Sequence, residues 1–380
     1  MMFLAHLTMR HLILACITSI LFYICCHLIY FSCQNQLSSA FVDNEDNEVL
    51  RSAPDDLDIA TRGYSHPGCP CIRFGYDLAA LNKTRDLALR DRRSQPPWFL
   101  GRYPETFTST CSHYSSQRGV GQKVLSYSYY VPTGVAREDS EGTKRFLKQM
   151  YPRARRIALV YPGWLMRVYH NVSTDDVLST RYICKLFCDM THVDLCHVKD
   201  LPTLGDLEAR MPVGRTWRFS VLGDPTVSWF MSRDLDSKIL DREVEAVRQW
   251  RRSGRGYHVM RDHPHHKAAV LAGLWGAHNK YPAKMAAARD AIFAAPVNLT
   301  EKYDQILLQQ HLWPLMQGDL VEHDSYHCED HPGSIPFPTQ RQEWQYCGWG
   351  AYKAVERNVV FRTRCPKACR PKDHPRWIWC

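Results

Sequence analysis

Two aspartates one residue apart are the clearest chemical feature of the chain. Asp234 and Asp236 lie in the stretch Ser232–Ser237, directly after the apolar run Val227–Met231. In an extended backbone, residues i and i+2 point to the same side, so both carboxylates would face one ligand while Leu235 turns toward a core. Such a pair binds Mg²⁺ or Mn²⁺ and leaves positions open for phosphate oxygens. The pattern predicts a cation site for a nucleotide diphosphate; the alternative is a solvated or helix-capping pair.

The segments around this pair alternate between strand-like and helical patterns, which predicts an α/β sheet with ligand sites at strand ends. Four runs are strand-like: Val124–Val131, Ile157–Tyr161, Val193–Val198 and Tyr257–Met260. A helix is predicted over Val172–Asp189. The aspartates are expected to open a second helix, because Leu240, Val244, Val247 and Trp250 recur at helical spacing after them. This helix would turn Asp241, Glu243, Glu245 and Arg248 outward.

The N-terminal run 11–33 is apolar, contains no Asp, Glu, Lys or Arg, and is long enough to cross a bilayer as a helix. Arg10 precedes it and the first charges after it are acidic, which predicts a cytoplasmic N-terminus; a cleaved signal peptide is the alternative. The expected organisation is a cytoplasmic tail (1–10), a signal-anchor (11–33), a stem (34–65), a lumenal domain with an N-terminal extension (66–330) and a Cys-rich tail (331–380).

Cysteines, sequons and charge agree with a lumenal or extracellular location. Eleven of the fifteen cysteines lie beyond residue 60, and disulfides explain them better than zinc. An odd cysteine could stay free, join Cys33 or link two chains as a disulfide-bonded dimer. Asn82, Asn171 and Asn298 begin Asn-x-Ser/Thr sequons. The net charge of +9 suits an anionic ligand, but no recognition motif for nucleic acid accompanies it, so none is expected as a partner.

Four short motifs, in this order, resemble those of GT-A-fold glycosyltransferases, especially the retaining glycogenin and bacterial galactosyltransferase type. They are Asp234-Leu235-Asp236, Arg261-Asp262 after a strand, Tyr303-Asp304-Gln305-Ile306-Leu307-Leu308, and His323-Asp324. The resemblance covers roughly residues 155–330. It implies a Rossmann-like mixed sheet flanked by helices, behind the N-terminal membrane helix.

The resemblance also implies roles. Asp234, Asp236 and His323 would hold Mn²⁺ or Mg²⁺, Arg261 and Asp262 would hold the donor sugar, and Asp304 and Gln305 would lie beside its anomeric carbon as catalytic residues. The enzyme would be a hexosyltransferase, retaining in mechanism, anchored in the Golgi or ER membrane. It would move a sugar from a nucleotide-sugar donor, a UDP-sugar, to a glycan, protein or lipid acceptor.

Several assignments have alternatives. Trp164, Arg167 and Tyr169 follow the predicted strand Ile157–Tyr161 and would grip a uracil base, or simply pack on the surface. Asp304 could be an ordinary first-turn residue of a helix, Arg261–Asp262 a structural ion pair, and His327 a rival to His323; the cluster His263, His265 and His266 is expected in a solvated loop. The competing functions are a non-catalytic lumenal or cell-surface binding protein and a metal-dependent hydrolase of phosphate or sulfate esters.

Overall fold

The computed structural model describes residues 64–73, 107–131, 141–350 and 359–380, apart from the side chains of 141–143. The predicted cytoplasmic tail and signal-anchor, most of the stem, Cys33 and the Asn82 sequon lie outside these residues. Among the helices that are described, none combines the length and the apolar character needed to cross a membrane.

Seven strands alternate with helices along the chain. The strands are β1 (Gln122–Tyr129), β2 (Leu165–His170), β3 (Val193–His197), β4 (Val227–Arg233), β5 (Tyr257–Arg261), β6 (Leu274–His278) and β7 (Leu320–Asp324). The α-helices are α1 (His113–Gln117), α2 (Glu141–Val160), α3 (Val177–Asp189), α4 (Leu207–Arg210), α5 (Asp241–Ser253), α6 (Pro282–Ala294), α7 (Tyr303–His311) and α8 (Trp313–Met316). Two 3₁₀ helices cover Gly214–Val221 and Lys367–Cys369.

All seven strands belong to one mixed sheet in the order β3-β2-β1-β4-β6-β5-β7. β6 runs antiparallel to β4 and β5, and the other neighbours are parallel. The chain first builds outward from β1 to β3 and then returns to place β4 on the other side of β1. Open α/β sheets bind ligands outside the carboxyl ends of the strands at such a reversal. The predicted mixed α/β sheet is confirmed.

Each face of the sheet carries its own apolar core. On one face, Val124 and Phe230 pack with the 3₁₀ helix Gly214–Val221, α6 and α7. On the other, Leu125 and Met231 pack with α2, α3 and α5. Neighbouring residues of one strand enter opposite cores because strand side chains alternate between faces. Any side chain can therefore be assigned to a face by the helix that it contacts.

Most predicted elements are confirmed, among them β1, β3, β5, α3 and α5. The predicted strand Ile157–Tyr161 is wrong, because it forms the end of α2 and the turn after it. Ile157 is buried whereas Leu159 is 74% exposed, as expected for a helix with one apolar face. A short apolar run fits either period, so the sequence alone could not decide between them. The true strand, β2, begins after Pro162-Gly163.

The helix after the aspartates also differs from the prediction in two respects. α5 begins only at Asp241, so the aspartates precede it rather than open it. Glu243, expected to point outward, is buried and accepts a hydrogen bond of 2.7 Å from Arg233. The helical periodicity of apolar residues could not predict this ion pair, because the partner of Glu243 lies on a different element, β4.

Disulfides involve ten of the eleven described cysteines, as the composition predicted. Cys69–Cys184 and Cys71–Cys188 join residues 64–73 to α3, and Cys111–Cys196 joins the segment before α1 to β3. Cys328–Cys369 and Cys365–Cys380 close the C-terminal tail. Cys347 is free and buried, which gives it no access to a second chain. A disulfide-linked dimer would therefore need Cys16, Cys25, Cys26 or Cys33.

Candidate functional site

Asp234 directly follows β4, at its carboxyl end and beside the reversal in strand order. Here the chain turns, because the Ser237 amide donates to the carbonyl of Asp234 at 3.1 Å. Leu235 is buried, as predicted. The backbone is a turn rather than the expected extended segment, so Asp234 and Asp236 are not held side by side. The C-terminal tail borders this turn: Lys238 N–H donates to the carbonyl of Trp349 at 2.8 Å.

One arginine joins Asp234 to Asp304. Arg218, from the 3₁₀ helix Gly214–Val221, is buried; its Nη1 donates to Asp234 Oδ1 at 2.5 Å and its Nη2 to Asp304 Oδ2 at 2.9 Å. The structure thus brings together a predicted metal ligand and a predicted catalytic residue. The sequence analysis did not single out Arg218. The only hint of a special role was its position as a charged residue between two aromatic residues, Trp217 and Phe219.

Asp304 is a buried acidic residue that shares Arg218 with the partly exposed Asp234. It lies in the first turn of α7, as the alternative interpretation expected. Its carboxylate faces Arg218 and also accepts a hydrogen bond of 3.0 Å from the Gln305 amide. Burial raises the pKa of Asp304, Arg218 lowers it and Asp234 raises it, and the net pKa lies above the ordinary value. Asp234 keeps 40% of its side chain exposed. Asp234 and Asp304, the latter with a raised pKa, therefore share the guanidinium of Arg218 at the carboxyl ends of the strands.

Asp236 belongs to the other face of the sheet. Its carboxylate is 13% exposed and lies 3.3 Å from Arg145 of α2. α2 and the 3₁₀ helix Gly214–Val221 pack on opposite faces of the sheet. Asp236 therefore pairs with an arginine on one face, and Asp234 pairs with Arg218 on the other. The expectation that both carboxylates face one ligand is therefore corrected.

Tyr130 is an exposed aromatic residue at the same edge as Arg218. It follows β1 directly, is 40% exposed, and its ring lies edge-on to Trp217 at 6.1 Å. A Cβ on Gly214 would lie only 2.3 Å from this ring, so glycine makes room for it. Sequence reasoning missed Tyr130 because it ends a strand of alternating Ser and Tyr residues.

Arg261 and Asp262 form a buried ion network instead of a sugar site. Asp262 is fully buried and accepts from Arg242 (3.1 Å), Arg341 (2.7 Å), Ser325 (2.6 Å) and the Cys347 amide (2.9 Å). Burial acts to raise the pKa of Asp262, but Arg242 and Arg341 lower it to about 2.

Arg261 is likewise fully buried; it donates to Asp324 at 2.6 Å and to Glu322. With these partners neither charge of the pair is available to a ligand. Both residues of this motif are structural, but each forms ion pairs with other residues and not with its neighbour, so neither the donor-sugar role nor the expected Arg261–Asp262 pair describes it.

His323 is not placed to bind the same cation as Asp234. It lies on β7, three strands from β4 and so roughly 14 Å across the sheet. Both ring nitrogens have partners, since Nδ1 lies 2.8 Å from His258 Nε2 and Nε2 lies 3.0 Å from Gln249 Oε1. Burial lowers the pKa of His323 to about 3. Its rival His327 contacts the Pro264 carbonyl through Nε2 at 3.0 Å.

Trp164, Arg167 and Tyr169 are core residues, which corrects their assignment to a uracil base. All three are buried, and Arg167 donates to Asp224 at 2.7 Å. The assignment was wrong because a strand was predicted at Ile157–Tyr161, where the structure has the end of α2, and the true strand is β2. Arg167 and Tyr169 belong to β2 itself, not to a loop after a strand.

The histidine cluster after β5 is also packed rather than solvated. His263 is buried, its ring centre lies 4.5 Å from that of Tyr346 in a tilted contact, and it accepts a hydrogen bond from the His265 amide at 3.0 Å. His266 accepts from the Asp262 amide at 3.2 Å. Only His265 of the three is exposed.

Across the described residues, one group of three potential metal-ligating side chains converges: Asp324, Cys328 and Cys369. The two cysteines form a disulfide, which leaves a single ligand there. Within the same residues, the predicted set of Asp234, Asp236 and His323 does not converge, and neither does a two-metal cluster of the kind that ester hydrolases use.

No protein-family model matches the chain, and no curated protein matches it. Several solved structures overlap part of it, and two of them are the following. A glycosyltransferase involved in the glycosylation of the major capsid of PBCV-1 shares 13% identity over 56% of this chain and 89% of its own, with a TM-score of 0.32. The 4-diphosphocytidyl-2C-methyl-D-erythritol synthase of Anaerococcus prevotii shares 10% identity over 54% of this chain and 87% of its own, with a TM-score of 0.34. At these values neither carries an argument about function.

Proposed function

We propose that the chain is a glycosyltransferase that takes a sugar from a nucleotide-sugar donor, a UDP-sugar, with its active site at the carboxyl ends of β1 and β4. The observation that carries the proposal is the bridge from Asp234 through Arg218 to Asp304 at the reversal of strand order. Charged groups with a shifted pKa in such a crevice are typical of catalytic sites. The sheet order and the chemistry of these three side chains support the GT-A-like assignment made from the motifs.

Of the predicted metal ligands we retain Asp234 in the proposal and omit Asp236 and His323, which have partners elsewhere. Mg²⁺ and Mn²⁺ are commonly held by one or two carboxylates together with phosphate oxygens of the substrate, and the carboxylate of Asp234 is partly exposed at the crevice. A cation held by Asp234 would supply positive charge next to the departing diphosphate. Arg218, joined to the same carboxylate, holds it in position and adds a fixed positive charge.

Asp304 is the proposed catalytic group beside the anomeric carbon, where positive charge develops during transfer. Arg218 opposes the effect of burial on the pKa of Asp304 and so favours the ionised form. The half-buried Gln305 would offer its amide oxygen alongside. We assign a retaining hexosyl transfer to this arrangement. Tyr130, exposed at the end of β1, replaces the buried Trp164 and Tyr169 as the residue for stacking on the uracil base.

The acceptor is proposed to be a glycan, protein or lipid on the lumenal side of the Golgi or ER, with residues 11–33 as a single type II span. Five disulfides support an oxidising compartment, because such bonds persist there and not in the cytosol. The Asn298 sequon is exposed and can receive a glycan.

The test is incubation of the purified chain with a panel of nucleotide sugars and Mn²⁺, with the release of nucleotide diphosphate as the measurement. We expect slow release of UDP from one UDP-sugar, abolished by Asp304→Asn. It should persist in Asp373→Asn, which neutralises a carboxylate that is 80% exposed. Silence across the whole panel would contradict catalysis and favour a binding protein.

A further inference from the structure

A cavity of about 510 Å³ lies between α2, the segment that leads into α5, and residues 339–345 of the tail. α2 and α5 pack on the face of the sheet opposite to Arg218 and Asp304. The cavity is therefore separate from the proposed transfer site. Its volume is in the range of pockets that bind small molecules.

Basic side chains dominate this cavity. Arg153, Arg156, Lys238 and Arg242 line it, against the acidic Asp241 and Glu343. Asp241 is 82% exposed and pairs with Arg156 at 2.5 Å, while Arg242 is neutralised by Asp262. Arg153 and Lys238, whose ammonium lies 4.3 Å from the centre of the Trp349 ring, thus remain as the lining cations without a carboxylate partner among the described residues.

Arg153 is the most informative of these residues because it is only 5% exposed. Its Nη2 donates to Gln149 at 3.2 Å, whereas its buried Nε has no hydrogen-bond partner among the described residues. A buried guanidinium normally has its donors satisfied, and a donor left without a partner costs free energy. The Arg153 side chain lines the cavity, so a negatively charged ligand there would lie beside this guanidinium and offset its buried charge.

The start of α5 adds a second source of positive potential. The helix begins at Asp241 after Leu240, and no side chain caps it. The first N–H groups of a helix lack intrahelical acceptors and carry the positive end of its dipole. Lys238, Ile239 and Leu240, which lead into this helix, all line the cavity. The two carboxylates of this first turn are paired, Asp241 with Arg156 and Glu243 with Arg233, so an anion placed there would face the helix terminus and Arg153.

The rest of the lining suits a ligand rich in hydroxyl groups. Four glutamines contribute to it, Gln149, Gln340, Gln342 and Gln345, together with Thr339. Each amide offers both donors and an acceptor, the combination that sugar hydroxyls can satisfy. Inorganic phosphate or sulfate would use the charge of the cavity but not these amides.

We propose that this cavity binds a sugar that carries a sulfate or phosphate monoester, with the ester on Arg153, Lys238 and the start of α5 and the sugar hydroxyls on the glutamines. This binding does not depend on the transfer reaction, and it is measured without any nucleotide sugar, so the two proposals can fail separately.

The experiment is calorimetric titration of the full chain with galactose 6-sulfate, galactose 6-phosphate, galactose and inorganic sulfate. We expect the two esters to bind at least about tenfold more tightly than galactose or inorganic sulfate, given the usual strength of charge-assisted hydrogen bonds. The tighter of the two esters identifies the group that the cavity prefers. Arg153→Gln and Lys238→Gln should each weaken the better ester by about tenfold.

Arg155→Gln is the matched control, because Arg155 lies on the same helix, is exposed, and does not line the cavity. The affinity of Arg155→Gln for the better ester should equal that of the unmodified chain. Lys238→Gln, at a half-buried position, keeps the test valid if Arg153→Gln fails to fold. Equal binding of galactose and its esters, equal binding of inorganic sulfate, or unchanged affinity in Lys238→Gln would each overturn the proposal.

Discussion

Gly273 lies directly against the carboxylate of Asp234. A Cβ added to Gly273 would lie 2.2 Å from Asp234 Oδ2 and 2.4 Å from its Cγ, closer than non-bonded atoms can approach. Glycine is therefore required at this position for the carboxylate to stay beside Arg218, and the contact provides a way to move Asp234 without changing its chemistry.

Gly273→Ala should displace Asp234 and weaken Mn²⁺-dependent binding of UDP by at least about tenfold, the scale of one charge-assisted contact. The loss of stability should be small, because the atoms that must move end a half-exposed side chain. Titration calorimetry and thermal unfolding measure the two effects. Gly333→Ala is the control, since a Cβ there meets no atom within 4 Å. Unchanged UDP affinity in Gly273→Ala would remove Asp234 from the site.

The two aspartates of the motif should differ in their effects. Asp234→Asn should abolish Mn²⁺-dependent UDP binding, whereas Asp236→Asn should retain most of it, because Asp236 pairs with Arg145 on the opposite face. Binding of UDP measured with and without Mn²⁺ separates the variants. Equal loss in both would restore the paired clamp expected from the sequence.

Tyr130→Ala should weaken UDP binding by about fivefold to 150-fold, because base–aromatic stacking contributes roughly 1–3 kcal/mol per base. Tyr281→Ala is the matched control: Tyr281 is 59% exposed but follows the antiparallel β6, at the opposite edge of the sheet. Affinities for UDP and for inorganic pyrophosphate, compared in both variants, test whether the loss comes from the base. Equal loss for the two ligands would contradict stacking.

Transfer should have an acid limit set by Asp304. The raised pKa of this carboxyl means that it takes up a proton at a higher pH than an ordinary aspartate, so activity should fall as the pH drops through that raised value. Arg218 lowers the pKa of Asp304, so Arg218→Gln should move the acid limb of kcat/KM to higher pH still. The measurement is the pH profile of UDP release, and a shift to lower pH would contradict the assignment.

Asp262 should account for part of the loss of folding stability at acid pH. Its folded pKa of about 2 lies below the ordinary 3.8, so its stabilisation is present above about pH 4 and is lost as the pH falls through 2. The difference corresponds to roughly 2 kcal/mol in the free energy of unfolding. Asp262→Asn should cost about 3–5 kcal/mol at neutral pH, because Arg242 and Arg341 would stay buried without a carboxylate.

Urea unfolding at pH 6 and pH 3 provides the comparison. The unmodified chain should lose more stability between the two values than Asp262→Asn does. Asp290→Asn, at a carboxylate that is 56% exposed, should behave like the unmodified chain. Identical pH dependence in all three would show that Asp262 does not carry this effect.

The sequence predicted the elements well where one periodicity was sustained, as in α3 and α5, and it located Asp234 and Asp304. It could not predict Arg218, because the meeting of residues from a 3₁₀ helix, a strand end and a helix start exists only after the sheet has formed. The same limit explains Asp262 and His323. A motif shows that a carboxylate follows a strand or that an imidazole lies on one. It does not show that the side chain already has a hydrogen-bond partner, as Asp262 has in Arg341 and His323 in Gln249.

The disulfides that join residues 64–73 to α3 have a consequence for handling the protein. Cys71–Cys188 spans all of the chain between these two cysteines, including residues 74–106. A protease cut anywhere in that interval would leave both fragments in one covalent molecule. On an electrophoresis gel the nicked protein would migrate as a single band until a reducing agent separated its two pieces.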